Sequence, residues 1–141
     1  KELTLKVEDL MKHRDELKPL SLNSSFLEVI SELTRSGIGS CWIKDEKNMK
    51  KLIGIITDGD LRRALRHYEP NVWESLVAEE IMTKDPIIIE PDIFAIEALK
   101  LMEDNSKKQS VSVLPVINVK SEFLGILRLH DLVQAGLKEN K

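Results

Sequence analysis

With Cys41 as its one cysteine, the chain cannot form an intrachain disulfide and has no second thiol for a zinc site. The apolar Trp42 and Ile43 follow it, so Cys41 is expected to be a buried small residue. Aromatic residues are scarce, at 4%, which leaves little to stack on nucleic-acid bases. Positive charge is not in excess either. The formal net charge is −3, so no global basic field draws nucleic acid or anionic lipid. There is no run of about 18 apolar residues and no signal-like segment, which argues against a membrane span or secretion of this stretch. The expectation is a cytoplasmic chain that binds neither nucleic acid nor membrane. The histidines, His13, His67 and His130, lie far apart without metal-ligand spacing. No serine–histidine or cysteine–histidine pairing stands at a recognisable spacing, and no catalytic set is found.

What the chain does have is a doubled pattern. Val7-Glu8-Asp9-Leu10-Met11 returns as Ala78-Glu79-Glu80-Ile81-Met82, and GIITDGDL at 54–61 returns as GILRLHDL at 125–132. Both pairs are 71 residues apart, so two independent landmarks give one period. A repeat of that length occurring only twice is too long and too few for a solenoid and reads as two similar half-domains. Residues 1–69 form the first repeat and 70–141 the second, joined by a connector at about 67–77 that holds Pro70, Trp73 and one short helix. At 141 residues and 42% hydrophobic content the chain suits a compact fold. Each half carries more apolar surface than a unit of about 60 residues covers alone. The halves are therefore expected to pack with pseudo-twofold symmetry, giving two related clefts near the starts of their closing helices. Because the chain begins at Lys1 and goes almost straight into the first repeat, it is expected to be a piece of a longer protein.

The elements point to a mixed α/β (α+β) class, each repeat running strand, helix, strand, strand, helix. In the first, Leu20 to Leu22 is a short strand, and Asn23, Ser24 and Ser25 are N-cap candidates. Phe26, Leu27, Ile30 and Leu33 recur at helical spacing until Gly37 and Gly39. Cys41 to Ile43 and Leu52 to Thr57 are strands, and Asp58 to Arg66 is the closing helix. In the second repeat, Ile87 to Ile89 is a strand between Pro86 and Pro91, and Phe94, Ala98, Leu101 and Met102 share a helical face. Val111 to Ile117 and Phe123 to Leu127 pair, and Leu129 to Gly136 is the last helix.

Candidate chemistry gathers where a strand runs into a closing helix. At Thr57-Asp58-Gly59-Asp60, the unpaired N–H groups of a helix start favour an anion beside the Thr57 hydroxyl, and Asp60 is placed to accept both hydroxyls of a ribose. Thr-x-x-Asp is equally a capping box. In the second repeat Arg128 replaces Thr57 while Asp131 still stands where Asp60 stood. A pure capping pair has little reason to keep its acid after losing its hydroxyl, which favours a ligand role for the acid. An acid in a first helical turn is also favourable by itself. Arg128 suits a phosphate or carboxylate, or a salt bridge to a nearby acid. His130 is the one histidine near a proposed cleft, where it would make a polar contact. Asp58 and Asp60 without an EF-hand pattern are a weak magnesium signal. Arg62, Arg63 and Arg66 make a basic helix side that reads as a solvated face or subunit contact.

These residues resemble a known family. The doubled pattern, with D-h-M opening each half and G-h-h-T-x-x-D closing the first, resembles a tandem pair of CBS domains, or Bateman module, over about residues 7 to 137. Such pairs bind adenosine nucleotides or related ligands, regulate a linked enzyme or transporter, and associate into dimers. More narrowly, GIITDGDLRRAL at 54–65, LHDLVQAG at 129–136 and Glu79-Glu80-Ile81-Met82-Thr83 resemble the C-terminal half of the arabinose 5-phosphate isomerase family. That resemblance implies a sugar isomerase domain upstream, in a parent enzyme that interconverts ribulose 5-phosphate and arabinose 5-phosphate for Kdo, and so for lipopolysaccharide or capsule. It also implies that Thr57 contacts phosphate, Asp60 ribose and Asp131 a second ribose, while Arg128 departs from the pattern. The ligands it suggests are AMP, ATP or CMP-Kdo. The competing readings are a purely structural oligomerisation module with empty clefts, or the CBS pair of a different enzyme.

Overall fold

A computed structural model describes residues 4–105 and 111–137 of the chain. Ser25 Oγ accepts from the Glu28 N–H at 3.1 Å while Glu28 Oε1 accepts from the Ser25 N–H at 2.8 Å, a reciprocal box that opens α2 (Phe26–Ser36). Gly37, at φ 72°, closes the helix in the left-handed conformation that costs glycine nothing. Val29 and Leu33 are buried, as is Glu32, whose carboxylate takes both Arg35 Nε and Nη2 and the Lys18 N–H. Leu27, expected on the apolar face, is 71% exposed.

The chain divides into two compact units that do not follow the sequence repeats: Asp15–Pro86, and Lys1–Arg14 with Ile87–Lys141. In Asp15–Pro86, β2 (Ser40–Lys44) pairs antiparallel with β3 (Leu52–Thr57), which runs directly into α3 (Asp58–His67). The other edge of β3 is taken by β4 (Thr83–Lys84), which follows the four-residue helix α4 (Ala78–Ile81). The connector supplies its expected short helix as a 3-10 segment, Pro70–Ser75. Leu20, Val29, Leu33, Cys41, Ile43, Ile56, Ala64, Leu76, Ala78 and Ile81 form the core.

The other unit uses the same plan. Here β5 (Val113–Ile117) pairs with β6 (Phe123–Arg128), which runs into α6 (Leu129–Gln134). The far edge of β6 carries β1 (Lys12–His13), which follows α1 (Val7–Leu10), and α5 (Ala95–Asn105) packs beside them. Both hairpins carry a register shift next to their connecting turns, at Ile43/Lys44 and at Val116/Ile117.

The opening segment of each sequence repeat is thus built into the body of the other. Ala78 N–H donates to Ser24 O, Glu79 N–H to Leu22 O and Phe26 N–H to Leu76 O, at 2.8–3.1 Å. The matching set is Val7 N–H to Ile93 O, Glu8 N–H to Pro91 O and Ala95 N–H to Leu5 O, at 2.7–3.0 Å. The repeated landmarks meet crosswise. A Cβ on Gly54 would lie 2.6 Å from Met82 Sδ and 3.0 Å from Thr83 O, and one on Gly125 would strike Lys12 O, with Met11 Sδ at 3.1 Å. Glycine is required where β4 and β1 cross so closely.

The expected strands at 20–22 and 87–89 shrink to single parallel bridges, Leu20 to Ile43 and Ile89 to Val116. The physical reason is local. Ser24 Oγ takes the Ser21 N–H and folds the first into a turn, while Pro91 stops the second two residues after Ile89. Among the described residues, no helix is long and apolar enough to cross a membrane.

Candidate functional site

Thr57 ends β3 in extended conformation and is the N-cap of α3. Asp60 N–H donates to Thr57 Oγ1 at 3.3 Å, and Thr57 N–H donates to Asp60 Oδ2 at 2.9 Å, so the capping box is formed. Asp60 does more than cap. Its Oδ2 also accepts the Thr57 hydroxyl at 3.2 Å, and its Oδ1 accepts Thr83 Oγ1 at 2.9 Å and Arg63 Nη2. Those four donors fill about the four lone-pair sites a carboxylate has, so the polar atoms of a side chain only 6% exposed are satisfied within the protein.

Around this turn the donors converge. A Cβ on Gly59 would stand 3.5 Å from both Thr57 Oγ1 and Arg63 Nη1, and 3.9 Å from Arg62 Nη2. One hydroxyl, two guanidinium groups and the N-terminal backbone of a ten-residue helix therefore lie close together, with the carboxylates of Asp58 and Asp60 on the same turn. Asp58 is exposed, its N–H donating to Gly39 O at 3.0 Å and its carboxylate against the Cα of Gly39. Ser40 pairs with Thr57 across β2 and β3, on the same face of the sheet, and its buried Oγ has no hydrogen-bond partner among the described residues. Cys41 is fully buried, and burial, with the charges of Glu32, Asp60 and Asp58 behind it, pushes its thiol up to about 12. It stays protonated and is no nucleophile at neutral pH.

In the second repeat the equivalent turn is closed on itself. Arg128 N–H donates to Asp131 Oδ2 at 2.9 Å, and its guanidinium meets the same carboxylate through Nε at 3.2 Å and Nη2 at 2.7 Å. This is the salt bridge to a nearby acid that the sequence offered as the other reading of Arg128. Arginine replaces the hydroxyl with a bidentate ion pair, so Asp131 has a structural partner of its own. Leu129 N–H donates to Ser112 O at 2.8 Å, as Asp58 does to Gly39. His130 is exposed, its Nε2 3.4 Å from Gln134 Nε2.

The structure thus brings Thr57, Asp58 and Asp60 together on one turn and Arg128, His130 and Asp131 on another. Sequence reading placed Arg63 only on a basic face, although its position three residues after Asp60 is the signal for an ion pair. Thr83 gave no local signal, because its contact with Asp60 depends on the exchange that carries β4 beside β3. Among the described residues, no three His, Cys, Asp or Glu side chains gather to hold a metal ion.

Residues 7–67 and 77–138 each match the family model of the CBS domain. The arabinose 5-phosphate isomerase KdsD of Pseudomonas aeruginosa is 38% identical over 136 residues, covering 96% of this chain. The match takes in 39% of that relative, so the chain spans about two-fifths of its length. Among solved structures, CBSX2 in complex with AMP, a protein of Arabidopsis thaliana, is similar with a TM-score of 0.73 at 20% identity, over 93% of this chain and 95% of that one. The CBS domain pair of protein MJ0100, in complex with 5′-methylthioadenosine and S-adenosyl-L-methionine, gives a TM-score of 0.72 at 26% identity, over 93% and 94%.

Proposed function

Because the chain belongs to the CBS domain family, with two copies in tandem, we propose that it is a regulatory nucleotide-binding module. Its ligand takes the Thr57–Asp60 turn, phosphate at the Thr57 hydroxyl and the helix start, ribose at the Asp60 carboxylate. The observation that carries this reading is the convergence above Gly59 of one hydroxyl, two guanidinium groups and a helix N-terminus, next to the Asp60 carboxylate. A purely structural turn accounts for the box and the Arg63 ion pair but not for Arg62 beside them. AMP and S-adenosyl-L-methionine bound by structural neighbours support a nucleoside-bearing ligand.

The module serves a parent enzyme that interconverts ribulose 5-phosphate and arabinose 5-phosphate, through a sugar isomerase domain, in the cytoplasm of a bacterium. Likeness to KdsD over almost all of the chain supports that attachment. CMP-Kdo, an activated sugar made downstream, then joins AMP and ATP as a candidate, since it carries a ribose, a phosphate and an anionic sugar. The chain self-associates as tandem CBS pairs do, and sedimentation at micromolar concentration checks this against a monomer.

Calorimetric titration of the chain with AMP, ATP, CMP and CMP-Kdo tests the ligand. Hydrogen bonds to a charged group are worth about 1.5–3 kcal/mol each, so Asp60→Asn should weaken binding roughly tenfold to a hundredfold. Both acids already have protein partners, which favours the scaffold reading if no ligand binds below millimolar or if Asp60→Asn leaves affinity unchanged.

A further inference from the structure

Asp60 has no vacant lone pair to offer a ligand. Thr57 N–H and the Thr57 hydroxyl occupy Oδ2, while Thr83 Oγ1 and Arg63 Nη2 occupy Oδ1. A ribose diol brings donors, so it gains a bond to this carboxylate only by displacing one of them.

The four donors are unequal. The Thr57 N–H is fixed by the cap and leaves only if α3 frays. Thr83 belongs to β4, which is tied to β3 by its register with Ile55. Arg63 is different: its side chain is 65% exposed and it reaches Asp60 from the outer side of the same helix. The pair is exposed on the arginine side only: water takes back the guanidinium at little cost, and a ribose hydroxyl arriving in its place keeps the buried Asp60 oxygen supplied with a donor. The Thr57 hydroxyl turns from Oδ2 to the phosphate when the ligand arrives, and Arg63 is the donor that leaves Oδ1.

Its destination is already at hand. Arg63 Nη1 lies as close to the position a Cβ on Gly59 would take as Thr57 Oγ1 does, with Arg62 Nη2 a little farther off. Ser40 Oγ, buried and unpartnered across the strand pair from Thr57, adds an unused hydroxyl next to the same turn. We propose that Arg63 is an exchange residue, paired with Asp60 when the turn is empty and with the ligand's anionic group when ribose takes Asp60. The turn therefore selects a nucleotide bearing phosphate or carboxylate over the corresponding neutral nucleoside, because a neutral ligand must displace Arg63 without giving it a new partner. This rests on the Thr57–Asp60 turn being the ligand site.

The test is a set of paired titrations of the whole chain with AMP against adenosine and CMP against cytidine, using the unaltered protein and Arg63→Gln. Because Arg63 is solvent-exposed, the variant is expected to melt within a few degrees of the parent. The unaltered chain should prefer the nucleotide by about tenfold or more. Arg63→Gln should lose most of that preference from both sides, with nucleotide affinity falling about tenfold and nucleoside affinity holding or rising as Asp60 loses its competitor. Raising the salt concentration should weaken nucleotide binding to the parent more steeply than to the variant. Equal loss for nucleotide and nucleoside, or an unchanged ratio, overturns the exchange role and leaves the site assignment standing. Absence of binding by all four probes to the unaltered chain overturns the site assignment itself, and the exchange role with it.

Discussion

At the scale of single residues, two glycines and one cysteine show what the repeat is made of. Gly54 and Gly125 recur because β4 and β1 cross their strands there. The obstacles differ, however: at Gly125 an added methyl strikes the Lys12 carbonyl, whereas at Gly54 the nearest atom is the sulfur of the flexible Met82. Gly125→Ala is thus expected to cost more stability than Gly54→Ala, within the roughly 1–3 kcal/mol typical of overpacking, and urea denaturation of the two variants checks the order. Cys41 offers a second reading. Its folded thiol titrates at about 12, against about 8.5 in an unfolded chain. A raised folded pKa means that its contribution to stability is whole below about pH 8.5 and is lost as pH rises toward 12. Folded protein should therefore resist maleimide at pH 8 and react promptly in denaturant; equal rates would place Cys41 at the surface.

Among the elements, what was legible locally was legible well, and what depends on a distant partner was not. The box at Ser25, the glycine stop at Gly37, both hairpins and the strand-to-helix turns at Thr57 and Arg128 follow from neighbours within a few residues. The short helices α1 and α4 and the strands β1 and β4 escaped, because two residues of strand carry no periodicity and owe their pairing to the exchange. The same limit hid half of the site, since Thr83 reaches Asp60 across 23 positions. Lys12 and Gln134 stand where Thr83 and Arg63 would in the second repeat, and the bidentate Arg128 serves Asp131 in their place. That arginine side chain is 23% exposed against 65% for Arg63, so its pair is the harder to open. One nucleotide per chain is the expected stoichiometry. Arg128→Thr, which allows the capping box of the first repeat to re-form, should raise it toward two, and a calorimetric count that stays at one would show that Arg128 is not what closes the second turn.

For the whole molecule, the exchange decides which fragments can fold. Cut at 69/70, as the repeat suggests, the first piece loses Leu76, Ala78 and Ile81 from its core and the β4 edge of its sheet. The second piece loses Val7, which is fully buried, together with the β1 edge and the Leu5 carbonyl that holds the start of α5. Each buried aliphatic removed costs about 1.5–3 kcal/mol of apolar burial, against a total stability of only about 5–15 kcal/mol for a domain. Leu76 and Ile81 together account for about 3–6 kcal/mol, with the smaller Ala78 in addition, a large share of that margin. A piece spanning 15–86 keeps every core residue of its unit and all three strands of its sheet. Circular dichroism and proton NMR should therefore find 1–69 and 70–141 largely unfolded when made separately, and 15–86 folded or nearly so. Mixing 1–69 with 70–141 should restore dispersed spectra, because together they contain both exchanged segments. If 1–69 folds alone as well as 15–86 does, the exchanged segments are ornaments on a self-sufficient repeat; if neither folds, burial inside one unit is not enough to hold it.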